Sequence, residues 1–194
     1  MDARPAELQC IMPLDNIPSV LTHGILSFDS TTRLPHASVA MAEVQERRDR
    51  KQVPGGLSLH QYANLYFHAR NPMLYARLGQ AHALCVLRLS CEVLRIPGVV
   101  LTDQNAASDY VRFLSPGQIS EINMDLVYAE DWRDQDRITY FRKKAAKCAE
   151  VLVPHQVPPK YLSGAHVVDV AAKNRLSAAG FNLPISVSPS VFFR

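Results

Sequence analysis

The sequence is poor in the features that would place it at once. Four cysteines, Cys10, Cys85, Cys91 and Cys148, are scattered over 194 residues with no C-x-x-C pair, so their spacing encodes neither a disulfide framework nor a zinc finger. A reducing, cytoplasmic compartment is the simpler reading. Seven histidines are present, yet the closest groupings, Cys85 with Cys91 and Cys148 with His155, match no zinc spacing, and no metal is expected. No apolar run approaches the roughly 18 residues that span a bilayer. The segment Met1 to Gln9 carries Asp2, Arg4 and Glu7 without an apolar core, so neither a membrane span nor a signal peptide is expected. The P-loop, the G-x-G-x-x-G turn and the G-x-S-x-G elbow are all missing, which removes the sequence signs of a Walker site, a Rossmann site and an α/β-hydrolase nucleophile. Charge of one sign is scarce too: 21 Lys+Arg against 18 Asp+Glu leave a net +3, too little to imply nucleic-acid binding by itself.

What is present suits a packed domain. With 47% hydrophobic and 20% charged residues and a mean hydropathy of −0.07, the chain can bury a sizeable core, and its length fits a single domain over 1–194. No internal repeat or low-complexity tract interrupts it, although Pro54-Gly55-Gly56 marks a sharp break. A helix is predicted over Asp15 to Leu26, with Asp15 as cap and Gly24 near its end, and a second over Met41 to Lys51. Short β-type runs follow at Leu84–Leu89, Val99–Leu101, Val151–Val153, His166–Val168 and Ile185–Val187, with Pro97-Gly98 turning into the second. Asp169 to Ala179 reads as a helix begun by Asp169 and ended by Gly180. Strands and helices do not alternate regularly, so an α+β fold with a mainly antiparallel or mixed sheet is expected.

Candidate functional residues are polar groups set among apolar ones. Glu150 stands directly before Val151-Leu152-Val153, where a carboxylate is costly to desolvate unless it is paired, solvated or used. Taken alone, such a residue is more often a surface group at a strand end. Asn64 to Tyr75 packs three aromatics beside an arginine and two asparagines. That set suits a planar ring and a phosphate, or equally a core strand at Leu65-Tyr66-Phe67 followed by a helix from Asn71-Pro72. Arg47, Arg48, Arg50 and Lys51 form one basic cluster and Arg142, Lys143, Lys144 and Lys147 another. Between them Glu121, Asp125, Glu130, Asp131, Asp134 and Asp136 make an acidic stretch. Such runs are most often solvated helix faces.

Several ordered motifs carry a resemblance. Val44 to Arg50 with Val53-Pro54-Gly55-Gly56, then Tyr66-Phe67-His68-Ala69-Arg70-Asn71-Pro72-Met73-Leu74-Tyr75, then Thr102 to Ala107, then Ala149 to Pro154, resemble in sequence and order the DarT family of DNA ADP-ribosyltransferase toxins, over nearly the whole chain. The resemblance implies an ADP-ribosyltransferase fold: a split, mainly antiparallel β core with an NAD cleft between its halves and peripheral helices. It also implies NAD consumed as substrate, transfer of ADP-ribose to a base in single-stranded DNA, a macrodomain antitoxin of the DarG kind, and a monomer.

On that template Glu150 matches the catalytic glutamate and Arg48 the essential arginine. NAD contacts fall to Cys10, Asn16, Gln45, Tyr66, Phe67, Arg70, Met73 and Tyr75, and nucleic-acid contacts to Arg47, Arg48, Arg50 and Lys51. One departure matters: Cys10 occupies the place of the family's NAD-anchoring histidine, and a thiol is a much weaker hydrogen-bond donor than imidazole. Two other readings stand beside this one, a catalytically weak or silent module that binds NAD or nucleic acid, and transfer to RNA or protein instead of DNA. Whether thymine or guanine is the target is open at this level.

Overall fold

In the computed structural model, residues 5–32, 36–37 and 42–194 are described. Among these described residues, ten strands and seven α-helices are linked by short 3-10 turns. In chain order they are β1 (Leu8–Pro13), α1 (Ile17–His23), β2 (Ile25–Leu26), α2 (Phe28–Thr31), α3 (Ala42–Asp49), β3 (Tyr62–Tyr66), α4 (Pro72–Tyr75), β4 (Leu84–Leu89), β5 (Val100–Thr102), β6 (Phe113–Leu114), α5 (Met124–Tyr128), α6 (Arg137–Ala146), β7 (Glu150–Pro154), β8 (Gln156–Val157), β9 (Leu162–Val167), α7 (Val170–Ala178) and β10 (Ile185–Val187). The expected α+β class holds. Eight strands form one sheet in the order β10-β9-β4-β1-β3-β7-β5-β6, and β2 pairs with β8 apart from it. All its ladders are antiparallel except the one between β10 and β9.

The sheet is split at its middle. β1 pairs with β4 along its whole length, Leu8↔Leu89 to Pro13↔Leu84, but meets β3 at a single register pair, Gln9↔Tyr66. Beyond that pair the two strands diverge, and a cleft opens between the halves.

The period of two along each strand decides what faces that cleft. Ala63 and Leu65 of β3, with Val151 and Val153 of β7, enter the main core. Tyr62 and Leu152 belong to a second, smaller cluster with Val53, Leu59 and Ala106; alternation puts Asn64, Tyr66 and Glu150 on this side of the sheet too, with Tyr66 still packing against the main core. Consecutive residues of β4 are buried, so both of its faces are covered, which is why it reads as an almost unbroken apolar run.

Some predicted elements shift. The first helix stops at His23, and Ile25 and Leu26 belong to a strand. Asp15 does not cap it, for Asn16 is the N-cap residue and makes no side-chain capping bond. Gly24 adopts φ +78°, and a Cβ there would lie 2.1 Å from the carbonyl oxygen of Val157, so glycine alone lets the chain turn this close to β8. The second helix spans Ala42–Asp49, and Met41 lies outside the described residues. Asp169 caps α7 by accepting from Ala172 N at 2.8 Å, and Gly180 follows it at φ +90°.

Candidate active site

Glu150 is the first residue of β7, opposite Tyr66 of β3, and it is only 1% exposed. The common surface reading of a strand-end carboxylate fails here. Its Oε2 accepts from Arg48 Nη1 at 3.1 Å and from Asn64 Nδ2, and its Oε1 accepts from the backbone N–H of Ala106 at 3.1 Å. Three donors converge on one carboxylate. Its own N–H donates to Thr102 Oγ1 at 3.0 Å, and that hydroxyl donates to Gln104 O at 2.7 Å. The run Thr102 to Ala107, which carried no assigned chemistry in the sequence, is therefore the cradle of Glu150.

Arg48 breaks ranks with its neighbours. Arg47 and Arg50 are exposed, and Lys51 donates to Ser108 O at 2.5 Å and pairs with Asp109 at 3.1 Å. Arg48 is 5% exposed and points inward, as its position one turn after Gln45 on α3 allows. Both residues bring buried polar atoms that find no partner among the described residues: Gln45 Oε1, an acceptor, and Arg48 Nη2, a donor. An orphaned donor and an orphaned acceptor are expensive in a closed core and useful beside a ligand.

These residues line a cleft cavity of about 440 Å³, within the size range of small-molecule sites. Cys10, Met12 and Pro13 of β1 form one wall, Asn64 and Tyr66 of β3 the other, and Gln45, Arg48, Met73, Lys144, Cys148 and Glu150 also face it. Burial pushes the Cys10 thiol up to about 12. The Tyr66 phenol rises well above its ordinary value, first because it is buried and then because Glu150 lies near; its hydroxyl donates to Met73 Sδ at 3.5 Å. Asn16 lines the cavity as well, but its amide is engaged by Ala37, donating to Ala37 O at 2.8 Å and accepting from Ala37 N at 2.9 Å.

Of the residues that sequence reasoning grouped as NAD contacts, Cys10, Asn16, Gln45, Tyr66 and Met73 come together here. Three do not. Phe67 is 1% exposed in the main core, because the residue after Tyr66 faces the opposite way. Arg70 and Tyr75 line a separate cavity with Trp132, Tyr140 and Phe193, since α4 is a single turn and points Met73 and Tyr75 to different sides. Asn64, Lys144 and Cys148 also line the cleft, although none of them stands among the expected NAD contacts.

Lys147 was grouped with solvated cations and is instead fully buried. Its Nζ donates to Ala129 O at 2.7 Å and lies 3.2 Å from His68 Nδ1. Burial depresses both groups, Lys147 to about 8 and His68, which also feels the lysine charge, to about 4. Among the described residues there is no group of three or more side chains able to hold a metal, and no helix is long and apolar enough to cross a membrane.

A family model described as "DarT: ssDNA thymidine ADP-ribosyltransferase, DarT" matches residues 10–193. The chain belongs to the DarT family. Among its relatives, a DNA ADP-ribosyl transferase–DNA ADP-ribosyl glycohydrolase fusion protein of Thermosipho africanus is 32% identical over 206 residues, covering 100% of this chain and 51% of the relative. A DNA ADP-ribosyl transferase of Thermus sp. is 30% identical over 167 residues, covering 79% of this chain and 77% of the relative. This DarT-family chain thus spans about half the length of the fusion protein and most of the other. Its fold superposes on Thermosipho africanus DarTG in complex with ADP-ribose with a TM-score of 0.84 at 31% identity, over 96% of this chain and 51% of that one. Thermus sp. 2.9 DarT in complex with ADP-ribosylated ssDNA shares the DarT fold, with a TM-score of 0.85 at 23% identity over 96% of both chains.

Proposed function

We propose that this DarT-family chain transfers ADP-ribose from NAD to a base in single-stranded DNA and releases nicotinamide. The observation that carries the reading is the buried Glu150 held by Arg48, Asn64 and the Ala106 amide at the end of a cleft. Relatives described as DNA ADP-ribosyl transferases, and a similar fold described as a complex with NAD+, support it.

The residues present fit such a substrate. The orphaned Arg48 Nη2 and Gln45 Oε1 offer one donor and one acceptor to a carboxamide, a diphosphate oxygen or a base edge. Bound NAD supplies a glycosidic bond whose cleavage leaves positive charge on the ribose. Glu150 is preorganised to oppose that charge, by accepting from the ribose hydroxyl beside the reacting carbon, and such contacts act strongly in a dry site. It is also placed to take the proton of an incoming base nitrogen. Arg48, always charged, both positions the carboxylate and offers its free Nη2 to the substrate.

Cys10 lines the cleft wall, and the family resemblance sets it against an NAD-anchoring histidine; on that reading NAD is held here with one side-chain donor fewer. Exposed Arg47 and Arg50 serve the acceptor phosphates. The chain acts as a single domain and a monomer, in a reducing cytoplasm that keeps its four cysteines free, and a macrodomain partner removes the mark.

The test offers NAD and four homopolymer-biased single-stranded oligonucleotides to the purified protein and looks for one added ADP-ribose mass. Mass on one base type, thymine by the family's description, is the expected result. Consumption of NAD with mass only on RNA or protein would redirect the acceptor, and the absence of NAD consumption would leave a binding module.

A further inference from the structure

The second cavity, of about 560 Å³, has no part in that mechanism. Its walls are aromatic. Tyr75, Trp132 and Phe193 pack edge-to-face at centroid separations of 5.6, 5.2 and 5.7 Å, and Tyr140 adds a fourth ring. The cluster is not simply core: Tyr75 stays 55% exposed. Phe193 is held at φ +61°, a left-handed conformation costly for an aromatic residue. Arg70 locks it there, with its guanidinium 4.3 Å from the Phe193 ring centre and its Nε–H donated to Ser190 O at 2.9 Å. A further N–H of Arg70 goes to Glu130 O. A strained residue kept rigid in an open aromatic pocket indicates a surface built to receive something flat.

Two helices join this cavity to the cleft. On α4, Met73 faces the cleft and Tyr75 the second cavity. On α6, Tyr140 faces the second cavity, and Lys144, four residues or about one turn later, faces the cleft. The charges discriminate between the parts of a nucleotide. Glu130 and Asp131 line the cavity together with Arg70 and Arg133, and Arg133 pairs with Asp131 at 2.5 Å, so the lining carries no net charge that would draw a phosphate inside. Lys144, whose Nζ sits 5.5 Å from the Tyr140 ring, brings positive charge beside it from α6. The arrangement admits a base among the rings and leaves its phosphate outside along α6.

We propose that this cavity is a second base subsite, which takes an unpaired base of the acceptor strand next in line to the target base and stacks it on Tyr75 and its neighbours. The inference rests on the DNA-modifying reading above and adds to it the place where the strand is gripped. Stacking tolerates any base, so the subsite fixes register and single-strandedness more than sequence.

The experiment replaces each nucleotide flanking the target, one at a time, with an abasic residue, and measures the half-saturating oligonucleotide concentration of the wild-type protein and of Tyr75→Ala. In the wild type, one position on one side of the target should raise that concentration about tenfold, from the loss of one stacked base. In Tyr75→Ala the concentration should already be raised for the intact strand, and the abasic residue at that position should add nothing. 2-Aminopurine at the same position should lose fluorescence on binding to the wild type, a readout that needs no variant to fold, and Tyr75→Phe should restore tight binding. Equal tolerance of abasic residues at every flanking position would overturn the proposal. So would an abasic penalty undiminished in a folded Tyr75→Ala, or a change in NAD half-saturation in place of the oligonucleotide's, which would make the cavity part of the NAD site. If the wild type modifies no DNA at all, the underlying functional reading fails instead, and that is seen before any variant is made.

Discussion

Replacing Glu150 with glutamine separates its chemical duty from its structural one. The substitution keeps the shape and one acceptor for the Ala106 amide, but it leaves the Arg48 guanidinium, 5% exposed, without its counter-charge. Removing one partner of a buried ion pair costs about 3–5 kcal/mol, because the other charge stays desolvated. In a chain of this size each kcal/mol lowers the melting temperature by about 2–4 °C, so a fall of about 6–20 °C is expected. Transfer should fall at least about a hundredfold, the scale of a lost transition-state contact. From the sequence alone, Glu150→Ala reads as a change of activity with the fold intact; at 1% exposure it becomes a change of stability as well. The decisive companion is the double variant Glu150→Gln with Arg48→Met, which removes both charges, the methionine filling the guanidinium's space with apolar atoms and the glutamine keeping an acceptor for the Ala106 amide. Removing both charges leaves neither one buried without its partner, which is the costly condition. We expect the double variant to melt near the wild type while remaining inactive. Denaturant unfolding and oligonucleotide transfer, measured on the two single variants and the double, complete the cycle. A double variant no more stable than the worse single one would show that the two charges are not an isolated buried pair. Transfer by folded Glu150→Gln within tenfold of wild type would remove Glu150 from the chemistry.

Cys10→His places an imidazole on the cleft wall and should lower the NAD half-saturation severalfold, the effect of one neutral hydrogen bond worth about 0.5–1.5 kcal/mol; a lower melting temperature with unchanged or weaker NAD use would put that position in the core alone. With the Cys10 and Cys148 thiols pushed up to about 12 by burial, iodoacetamide at pH 7.5 should leave both unlabelled in the folded protein and label both after denaturation. His68, held down to about 4, stays uncharged in the folded state where the unfolded chain takes up a proton. Its contribution is therefore complete above about pH 6.5 and is lost as pH falls toward 4, by up to about 3.5 kcal/mol; melting curves of the wild type and His68→Gln should converge at the acid end of that window. Oligonucleotide affinity should fall with salt, and the double variant Arg47→Ala with Arg50→Ala should flatten the log–log slope by about 1.4, or 0.7 per phosphate contact; an unchanged slope would mean that these two arginines do not touch the strand.

What could be read from the sequence was local. β4, β10 and α7 follow from apolar runs and from signals written beside them, such as the Asp169 cap and Gly180 after it. The antiparallel α+β class followed from the same signals. What could not be read was set by partners far along the chain. Arg48 and Glu150 are 102 positions apart, and nothing in a run of four basic residues says which one turns inward. Lys147 looked like its solvated neighbours until Ala129 O and His68 closed around it. Arg70 and Tyr75 sit in one motif with Met73, yet Arg70, which precedes α4, and Tyr75, at the end of that helix, both line another cavity. The resemblance placed Glu150 and Arg48 together, where periodicity had no means to.

The single pair joining β1 to β3 gives this sheet something that sheets normally keep at their outer rims. Past Gln9↔Tyr66, each of the two strands shows the other a row of main-chain amides and carbonyls that no strand among the described residues completes. The cleft walls are in this sense two internal sheet borders facing each other across a gap. Groups of this kind bind through the backbone, whose donors and acceptors are the same whatever side chain is attached. A position such as Cys10 can therefore change its side chain while the main-chain part of the wall persists, and this is a physical reason why an architecture of this kind survives at about 30% identity.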